Sequence, residues 1–271
     1  MSAPADVLRR AVATGERPTP AGPLVASRVF AWRAVLKIKH VPEQLADTIL
    51  VPVMFTLAFT YLFGGALAGS TDDYLQFLLP GSLVFAVVIV TLYSGVALNT
   101  DVRSGAFDRF RSMPIWRAAL LAGSLLGDIG RYLVASAIVI GLGLAMGYRP
   151  EGGAFGVAAA VALIVVFASS LSWLWLLLGL TMRTPNAVQT AGFVGVMPLT
   201  FASNVFVDPA TTPSWLRAFI DVNPVTHLVS AARGLMSGTL PFDEIVWVLA
   251  ASAVLVVLLA PLTVRRYSRR S

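Results

Sequence analysis

The sequence predicts an all-α integral membrane protein with six transmembrane helices and shorter amphipathic helices in the connections. Three observations lead to this prediction. Apolar residues make up 57% of the 271 residues while charged residues reach only 13%, about half the share found in an ordinary soluble domain. The mean hydropathy is +0.78, and several apolar runs reach the length of about 20 residues that a helix needs to cross a bilayer. Soluble enzymes and free nucleic-acid-binding proteins are therefore excluded.

Six apolar stretches define the predicted spans. Their approximate bounds are Thr48 to Ala68, Leu75 to Leu98, Ala118 to Gly147, Phe155 to Met182, Ala187 to Val207 and Ile245 to Val264. We expect one six-span membrane domain over residues 27–264, with a flexible tail before it (1–26) and a basic tail after it (265–271). Membrane lipid is therefore an expected partner of the whole domain.

The distribution of basic residues predicts the orientation. Cytoplasmic connections retain Lys and Arg, and 16 of the 20 basic residues fall on one side of the six spans. These are Arg9, Arg10, Arg17, Arg28, Arg33, Lys37, Lys39, Arg103, Arg109, Arg111, Arg117, Arg183, Arg265, Arg266, Arg269 and Arg270. Both termini are thus expected in the cytoplasm of a multi-pass protein of the plasma membrane. The same bias accounts for the net charge of +6 without a polyanionic partner such as nucleic acid.

The N-terminal region divides at Pro18, Pro20 and Pro23, which favour an extended linker. Residues 27–40 then mix apolar and basic side chains. They form either an interfacial helix with Trp32 at headgroup depth or a basic flank that only fixes the topology. No apolar signal-peptide core is present in the first 46 residues, so we expect no cleavable signal peptide.

The inner connection after the second span, residues 99–117, combines charges with two phenylalanines. Phe107 and Phe110 lie at i, i+3 and present an aromatic face on a short helix. The neighbouring charged residues are Arg103, Asp108, Arg109 and Arg111. An exposed aromatic pair suits a socket in another protein. The alternative is a topogenic loop whose rings rest on lipid.

Asp128 and Arg131 lie within the third stretch, which is longer than the bilayer requires. About 30 residues would span roughly 45 Å as a helix, against a hydrocarbon core of about 30 Å. The spacing i, i+3 allows an ion pair on one helical face. The pair is either an interfacial contact at the cytoplasmic edge or an intramembrane charge used in transport or proton relay.

The outer connection, residues 208–244, is too long for a turn. It predicts two short amphipathic helices, from Trp215 to Ile220 and from Thr226 to Met236, separated by Asn223 and Pro224. Their apolar spacing favours insertion into the outer leaflet. His227 has no companion ligands in the sequence, so we expect no metal site there and favour a capping or interfacial role for this histidine.

Motifs for catalysis are missing from the sequence. There is no G-x-x-x-x-G-K-[ST], and the only lysines are Lys37 and Lys39, so the chain has no P-loop. It has no H-E-x-x-H, no G-x-S-x-G and no cysteine. We expect neither an enzyme nor a chain that binds a cofactor or a metal itself.

Several short motifs nevertheless carry a resemblance to a known family. They are Arg-Ser-Met-Pro-Ile in the inner connection, Arg-x-Pro-x-x-x-Gln from Arg183, Ser-Asn-x-Phe from Ser203, Pro-Ser-Trp-Leu from Pro213, and Asn-Pro-Val-Thr-His from Asn223 with Arg233 following. Together they resemble the permease subunits of type-2 ABC exporters, in particular the daunorubicin-resistance branch. The N-terminal third shares the layout of an elbow helix and two spans.

The resemblance implies an exporter of a hydrophobic or amphipathic compound, either a drug, a lipid or a glycolipid. Two permease chains, identical or sister, would meet across a two-fold axis. Each would dock on a separate ATP-binding subunit that binds ATP and Mg²⁺. The insert (Arg103, Phe107, Asp108, Arg109, Phe110, Arg111) would be the ATPase-coupling helix, and the outer connection (Trp215, Asn223, Pro224, His227, Arg233) a re-entrant hairpin.

Two other functions remain open from the residues alone. The first is an ion-coupled secondary transporter with Asp128 as its proton site, which would call for broken mid-membrane helices. The second is an intramembrane enzyme, for which the sequence supplies neither a nucleophile nor a metal set.

Overall fold

The computed structural model describes residues 42–104, 119–206 and 212–269, and within them the chain forms helices and turns and no strand. The helices are α1 (Pro42–Ala68), α2 (Thr71–Arg103), α3 (Ala119–Ala145), α4 (Gly153–Thr181), α5 (Pro185–Phe201), α6 (Ser214–Val222), α7 (Pro224–Met236) and α8 (Phe242–Arg269). The all-α prediction is confirmed. The predicted interfacial helix, residues 27–40, and most of the inner insert lie outside the described residues.

Four of the described helices are long and apolar enough to cross a bilayer: α2, α4, α8 and residues 121–145 of α3. The apolar part of α1 is shorter, Pro52–Ala66, and α5 has 17 residues. The two short helices predicted in the outer connection are present as α6 and α7.

The helix of the predicted fifth span ends earlier than expected. We expected it to reach Val207, but α5 ends at Phe201 and residues 202–206 form turns. The Phe206 ring lies in this turn and stacks on Phe59, with ring centroids 4.5 Å apart. Apolar residues beyond Phe201 therefore fill the core from a turn, which an apolar pattern alone does not distinguish from a helix.

Side-chain caps and glycines set several helix ends. Ser70, Thr184 and Asn223 are N-caps whose side chains accept hydrogen bonds from the backbone N–H groups two or three residues later, which satisfies donors that the first turn leaves free. Pro185 and Pro224 occupy the first helical position, where no N–H is needed. After α3 the chain turns at Gly147, whose φ of +103° suits glycine.

The second helix is the centre of the bundle. It packs against α1, α3, α4, α5 and α7, whereas α8 lies at the periphery on α4 and α7. The middle of α2, residues 78–92, is buried throughout, whereas α8 exposes most of its apolar side chains. An exposed apolar helix face of this kind is what a bilayer covers.

The α2 and α4 backbones approach closely at two glycines. A Cβ placed on Gly95 would lie 2.3 Å from the Trp175 carbonyl oxygen, and one on Gly179 would lie 2.4 Å from the Gly95 carbonyl oxygen. Small residues permit this approach between membrane helices. The hydroxyl of Thr91 also accepts a hydrogen bond of 2.7 Å from Trp175 Nε1, so the two longest helices form one unit.

Candidate functional site

Two polar side chains near the C-terminal end of α2 bond to the end of α4 and to the turn before α5, and we call them the inner clamp (Asn99 and Arg103) after the predicted orientation. Asn99 Nδ2 donates to the carbonyl oxygens of Gly179 at 2.8 Å and Met182 at 2.9 Å. Arg103 Nη1 donates to the Arg183 carbonyl at 2.6 Å. The clamp satisfies carbonyls that the end of α4 leaves without helical partners. It links the start of the inner insert to the turn between α4 and α5.

A buried polar network connects α2, α3 and α4 in the same half of the bundle. Asp128 on α3 is 1% exposed and forms the expected ion pair with Arg131. Its other carboxylate oxygen accepts a 2.5 Å hydrogen bond from Ser94 on α2. One turn along α3, the Tyr132 hydroxyl lies 2.6 Å from Ser172 Oγ on α4. Because Ser172 already donates to Ala168, Tyr132 is the donor.

One carboxylate oxygen of Asp128 thus accepts a hydrogen bond from Ser94, and the other pairs with Arg131. A buried charge requires such partners, since an unpaired one would be very costly. The network holds three helices together. The neighbouring hydroxyls of Ser169 and Ser170 instead bond back to carbonyls one turn earlier in α4, as serines in membrane helices commonly do.

The outer hairpin, residues 208–244, is described from residue 212 and is anchored at Asn223. The Asn223 amide donates to the carbonyls of Leu199 at 2.7 Å and Ala202 at 2.8 Å, while its oxygen caps α7 through Val225 N–H. The single side chain therefore ends α5 and starts α7. Pro224 then begins α7 without a backbone donor.

Arg233 fixes the other end of α7. Its guanidinium donates to the Phe77 carbonyl at 3.2 Å and to the Asn204 carbonyl at 3.1 Å, and its Cζ lies 4.0 Å from the centre of the Phe77 ring. Asn204 in turn donates to Ser230 at 2.8 Å. Asn204 of the Ser-Asn-x-Phe motif is therefore bonded to two residues of α7, the helix that begins in the Asn-Pro-Val-Thr-His motif.

His227 and Trp215 occupy different surroundings on the hairpin. His227 bonds to Glu244 and to the Asp221 carbonyl, and it lies among no group of three or more potential metal ligands in the described part of the chain. Trp215 is 73% exposed on α6, beside other exposed apolar residues, as expected for a helix at a membrane surface.

An apolar pocket of about 600 Å³ opens between the start of α7 and the N-terminal half of α8. Its lining residues are Pro224, Phe242, Asp243, Val246, Trp247, Ala250, Ala251, Val254 and Leu255. The lining residues are apolar or aromatic apart from Asp243, which contributes one carboxylate. Such a surface accommodates an apolar or amphipathic body.

Comparison with known proteins identifies the family. The ABC-2 type transporter family matches residues 26–237. The chain belongs to this family. It is therefore the permease subunit of an ABC exporter, and the resemblance inferred from the motifs is confirmed.

Its relatives include drug-resistance permeases. The daunorubicin resistance ABC transporter permease protein DrrB1 of Streptomyces coeruleorubidus is 48% identical over 97% of this chain and 93% of its own length. A probable doxorubicin resistance ABC transporter permease protein of Mycobacterium tuberculosis is 21% identical over 79% of this chain and 80% of its own. A putative transport permease of Cyanophora paradoxa is 26% identical over 77% and 73%.

The described residues cover only part of the predicted site. Arg103, the Asp128–Arg131 pair and the five named residues of the hairpin have the positions given above. Phe107, Asp108, Arg109, Phe110 and Arg111 lie outside the described residues. Sequence reasoning missed Ser94, Asn99, Tyr132 and Glu244 as contact residues. Each of them bonds to a partner 17 or more positions away, and a single sequence contains no signal for such a pairing.

Proposed function

We propose that this permease moves a hydrophobic or amphipathic compound out of the cell with ATP hydrolysed by a separate subunit. ATP and Mg²⁺ would be bound by that subunit. Two permease copies and two ATP-binding subunits would form the exporter, in the plasma membrane. The observation that carries the proposal is the inner clamp, because it joins the start of the insert to α4 and to the turn before α5 in a chain that belongs to the ABC-2 family.

Six spans with both termini in the cytoplasm are part of this proposal. Besides the four long apolar helices, α1 and α5 would complete the set, α5 together with the turns that follow it. The 16 basic residues assigned to the inner side support this orientation. The outer hairpin would then re-enter the outer leaflet.

A mechanical path from the insert into the bundle follows from the contacts. Movement of the insert would pull on the end of α2 at Arg103, and the clamp would pass that displacement to the Arg183 turn. The close approach of Gly95 and Gly179 would then carry it along α2 and α4 as one rigid unit. Packed elements transmit such displacements because they do not deform continuously.

The class of compound is inferred from two sources. The wall of the apolar pocket suits an amphipathic molecule, and the relatives named for daunorubicin and doxorubicin resistance favour a drug. The alternative is a lipid or a glycolipid, since these molecules are also amphipathic.

The test is an exporter carrying Phe107→Ala, Phe110→Ala and Arg109→Glu. We expect transport of daunorubicin in vesicles to fall roughly tenfold or more, as for loss of an interface hot spot, while ATP hydrolysis by the bound subunit continues. Phe155→Ala is the matched control, because Phe155 is 87% exposed at the opposite end of the bundle. Normal pumping by the triple variant would contradict the coupling role.

A further inference from the structure

The apolar pocket between α7 and α8 is a groove along one face of α8. Its lining residues on α8 recur in adjacent pairs every fourth position: 242 and 243, 246 and 247, 250 and 251, 254 and 255. This spacing places all of them on one side of the helix, over a length of roughly 18 Å. The other wall begins at Pro224, the first residue of α7. We call this cavity the α7–α8 groove.

The two ends of the groove differ in chemistry. Asp243, in the first turn of α8, contributes a carboxylate at one end. From Val246 to Leu255 the lining residues are apolar or aromatic, with the small side chains of Ala250 and Ala251 in the middle. The volume of about 600 Å³ is that of a site for a drug-sized molecule. A ligand that fills the groove therefore needs one polar end and an apolar body.

The carboxylate of Asp243 has no basic partner within the described residues. The salt bridges there join Arg131 to Asp128 and His227 to Glu244, and neither includes Asp243. Asp243 is also exposed, so its charge is available to a molecule that enters the groove. A carboxylate in this position attracts a cation and repels the phosphate of a phospholipid.

Aromatic side chains lie beside this carboxylate. Phe242 precedes it, and Trp247 follows at i, i+4, which makes it a neighbour of Asp243 on the helix surface. One face of the Trp247 ring stacks on His227, with ring centroids 4.3 Å apart, yet 42% of the residue remains exposed. An aromatic ring next to a carboxylate strengthens the attraction for an organic cation.

The surrounding connections carry an excess of negative charge. In their described residues, the three connections predicted on the outer side contain six acidic and three arginine side chains: Asp72, Asp73, Glu151, Asp221, Asp243 and Glu244 against Arg149, Arg217 and Arg233. A net negative surface raises the local concentration of cations. The field at this end of the bundle therefore agrees with the charge at the end of the groove.

We propose that the α7–α8 groove binds a lipophilic organic cation, whose ammonium group pairs with Asp243 while its apolar body lies along α8. This inference narrows the class of compound in the proposed export function, and its transport consequence rests on that function. Binding itself requires neither ATP nor the ATP-binding subunit.

The charge preference is tested by fluorescence titration of the permease in phosphatidylcholine nanodiscs, with empty nanodiscs subtracted. The probes are daunorubicin, an amine that is protonated at neutral pH, and N-acetyldaunorubicin, which has the same ring body and no charge. We expect the parent to prefer daunorubicin roughly fivefold, the upper end for an exposed ion pair, and Asp243→Asn to lose this preference.

Asp72→Asn is the matched control for the charge. Asp72 is an exposed acid in the first turn of α2, so it shares the favourable position of Asp243 at a helix N-terminus, but it lies outside the groove. This variant should keep the preference of the parent. An undiminished preference in Asp243→Asn would overturn the proposal.

The apolar body is tested by filling the groove. Ala250→Leu adds bulk to the lining of the groove and should weaken binding of both probes roughly tenfold, because overlap in an occupied site is costly. Ala253→Leu, at an exposed position of the same helix outside the lining, should bind as the parent does. If Ala250→Leu leaves both affinities unchanged, the groove holds bilayer lipid or nothing, and the proposal is overturned.

A transport assay separates this site from the export function. In complexes that pump, Asp243→Asn should raise the KM for daunorubicin roughly fivefold and leave the KM for the N-acetyl compound unchanged. Equal KM values for daunorubicin in the parent and Asp243→Asn would contradict the site while export stands. If the binding results hold in a complex that never transports with ATP, the site is supported and the export function fails.

Discussion

At the scale of single residues, Asp128 and Arg131 place two charges in an otherwise apolar bundle, and burying charge costs free energy. An uncompensated charge in such surroundings costs several kcal/mol, whereas a paired and hydrogen-bonded one is tolerated. Ser94 and Arg131 together engage both carboxylate oxygens. A structural role for the pair is therefore favoured over that of a mobile proton carrier.

Replacing Asp128 tests this role. Asp128→Leu should destabilise the folded chain by about 3 kcal/mol, because it leaves the partly buried Arg131 without its partner, and the combined change with Arg131→Met should recover most of the loss. Thermal unfolding in detergent measures both. A single variant as stable as the parent would contradict the structural role, and transport driven by a pH gradient that requires Asp128 would favour the secondary transporter.

The Tyr132 hydroxyl makes a second residue-scale prediction. A double-mutant cycle with Tyr132→Phe and Ser172→Ala should give a coupling energy of about 0.6 kcal/mol, the typical value between membrane helices. Ser169→Ala is the control, since its hydroxyl bonds back to Val165 within α4, and it should show no coupling to Tyr132→Phe. Chemical unfolding of the purified chain supplies the energies, and additive effects of Tyr132 and Ser172 would contradict the cross-helix bond.

At the scale of helices, the contact of α2 with α4 determines how the bundle packs. The backbones meet at Gly95 and Gly179, where neither position has space for a side-chain atom. Since α2 also contacts α1, α3, α5 and α7, separation of α2 from α4 would disturb most of the described helices.

Alanine at Gly179 should therefore destabilise the bundle by about 1–3 kcal/mol, the usual cost of overpacking. Gly141→Ala on α3 is the matched control, because a Cβ there meets no atom within 4 Å and alanine favours the helix. Thermal unfolding measures the stability of the two variants. Equal stability of both would contradict the close approach.

The sequence predicted the long helices better than it predicted the contacts between them. Apolar runs located α2, α3, α4 and α8 to within a few residues, because crossing a bilayer demands a nearly continuous apolar helix. The turn after Phe201 was missed, since Val205 and Phe206 are as apolar in a turn as in a helix. The Asn223 cap was anticipated as a break, but its bonds to Leu199 and Ala202 depend on tertiary packing that no local pattern encodes.

In the proposed orientation, polar side-chain contacts join the helices in the inner half of the molecule, and the hairpin lies on its outer side. The inner clamp and the network around Asp128 join α2, α3, α4 and α5. In the hairpin, α7 is buried against α2, α4 and α8, and the side chains of Asn223 and Arg233 fix its two ends. This distribution suits a permease that receives motion from the inner side and releases its cargo on the outer side.

The proposed orientation is testable because the chain has no cysteine. Ala218→Cys on α6 should react with a membrane-impermeant thiol reagent in intact cells. Ser271→Cys should react only after the membrane is opened, since the six proposed spans leave both termini on one side and the basic residues assign that side to the cytoplasm. The reverse pattern of labelling would contradict the orientation.

The dependence of this permease on a partner ATPase is tested most directly by reconstitution in liposomes with and without an ABC-type ATP-binding subunit. We expect export of daunorubicin that requires both the subunit and hydrolysable ATP, and no accumulation by the permease alone under any ion gradient. Transport by the permease alone, driven by a proton gradient and indifferent to ATP, would contradict the account.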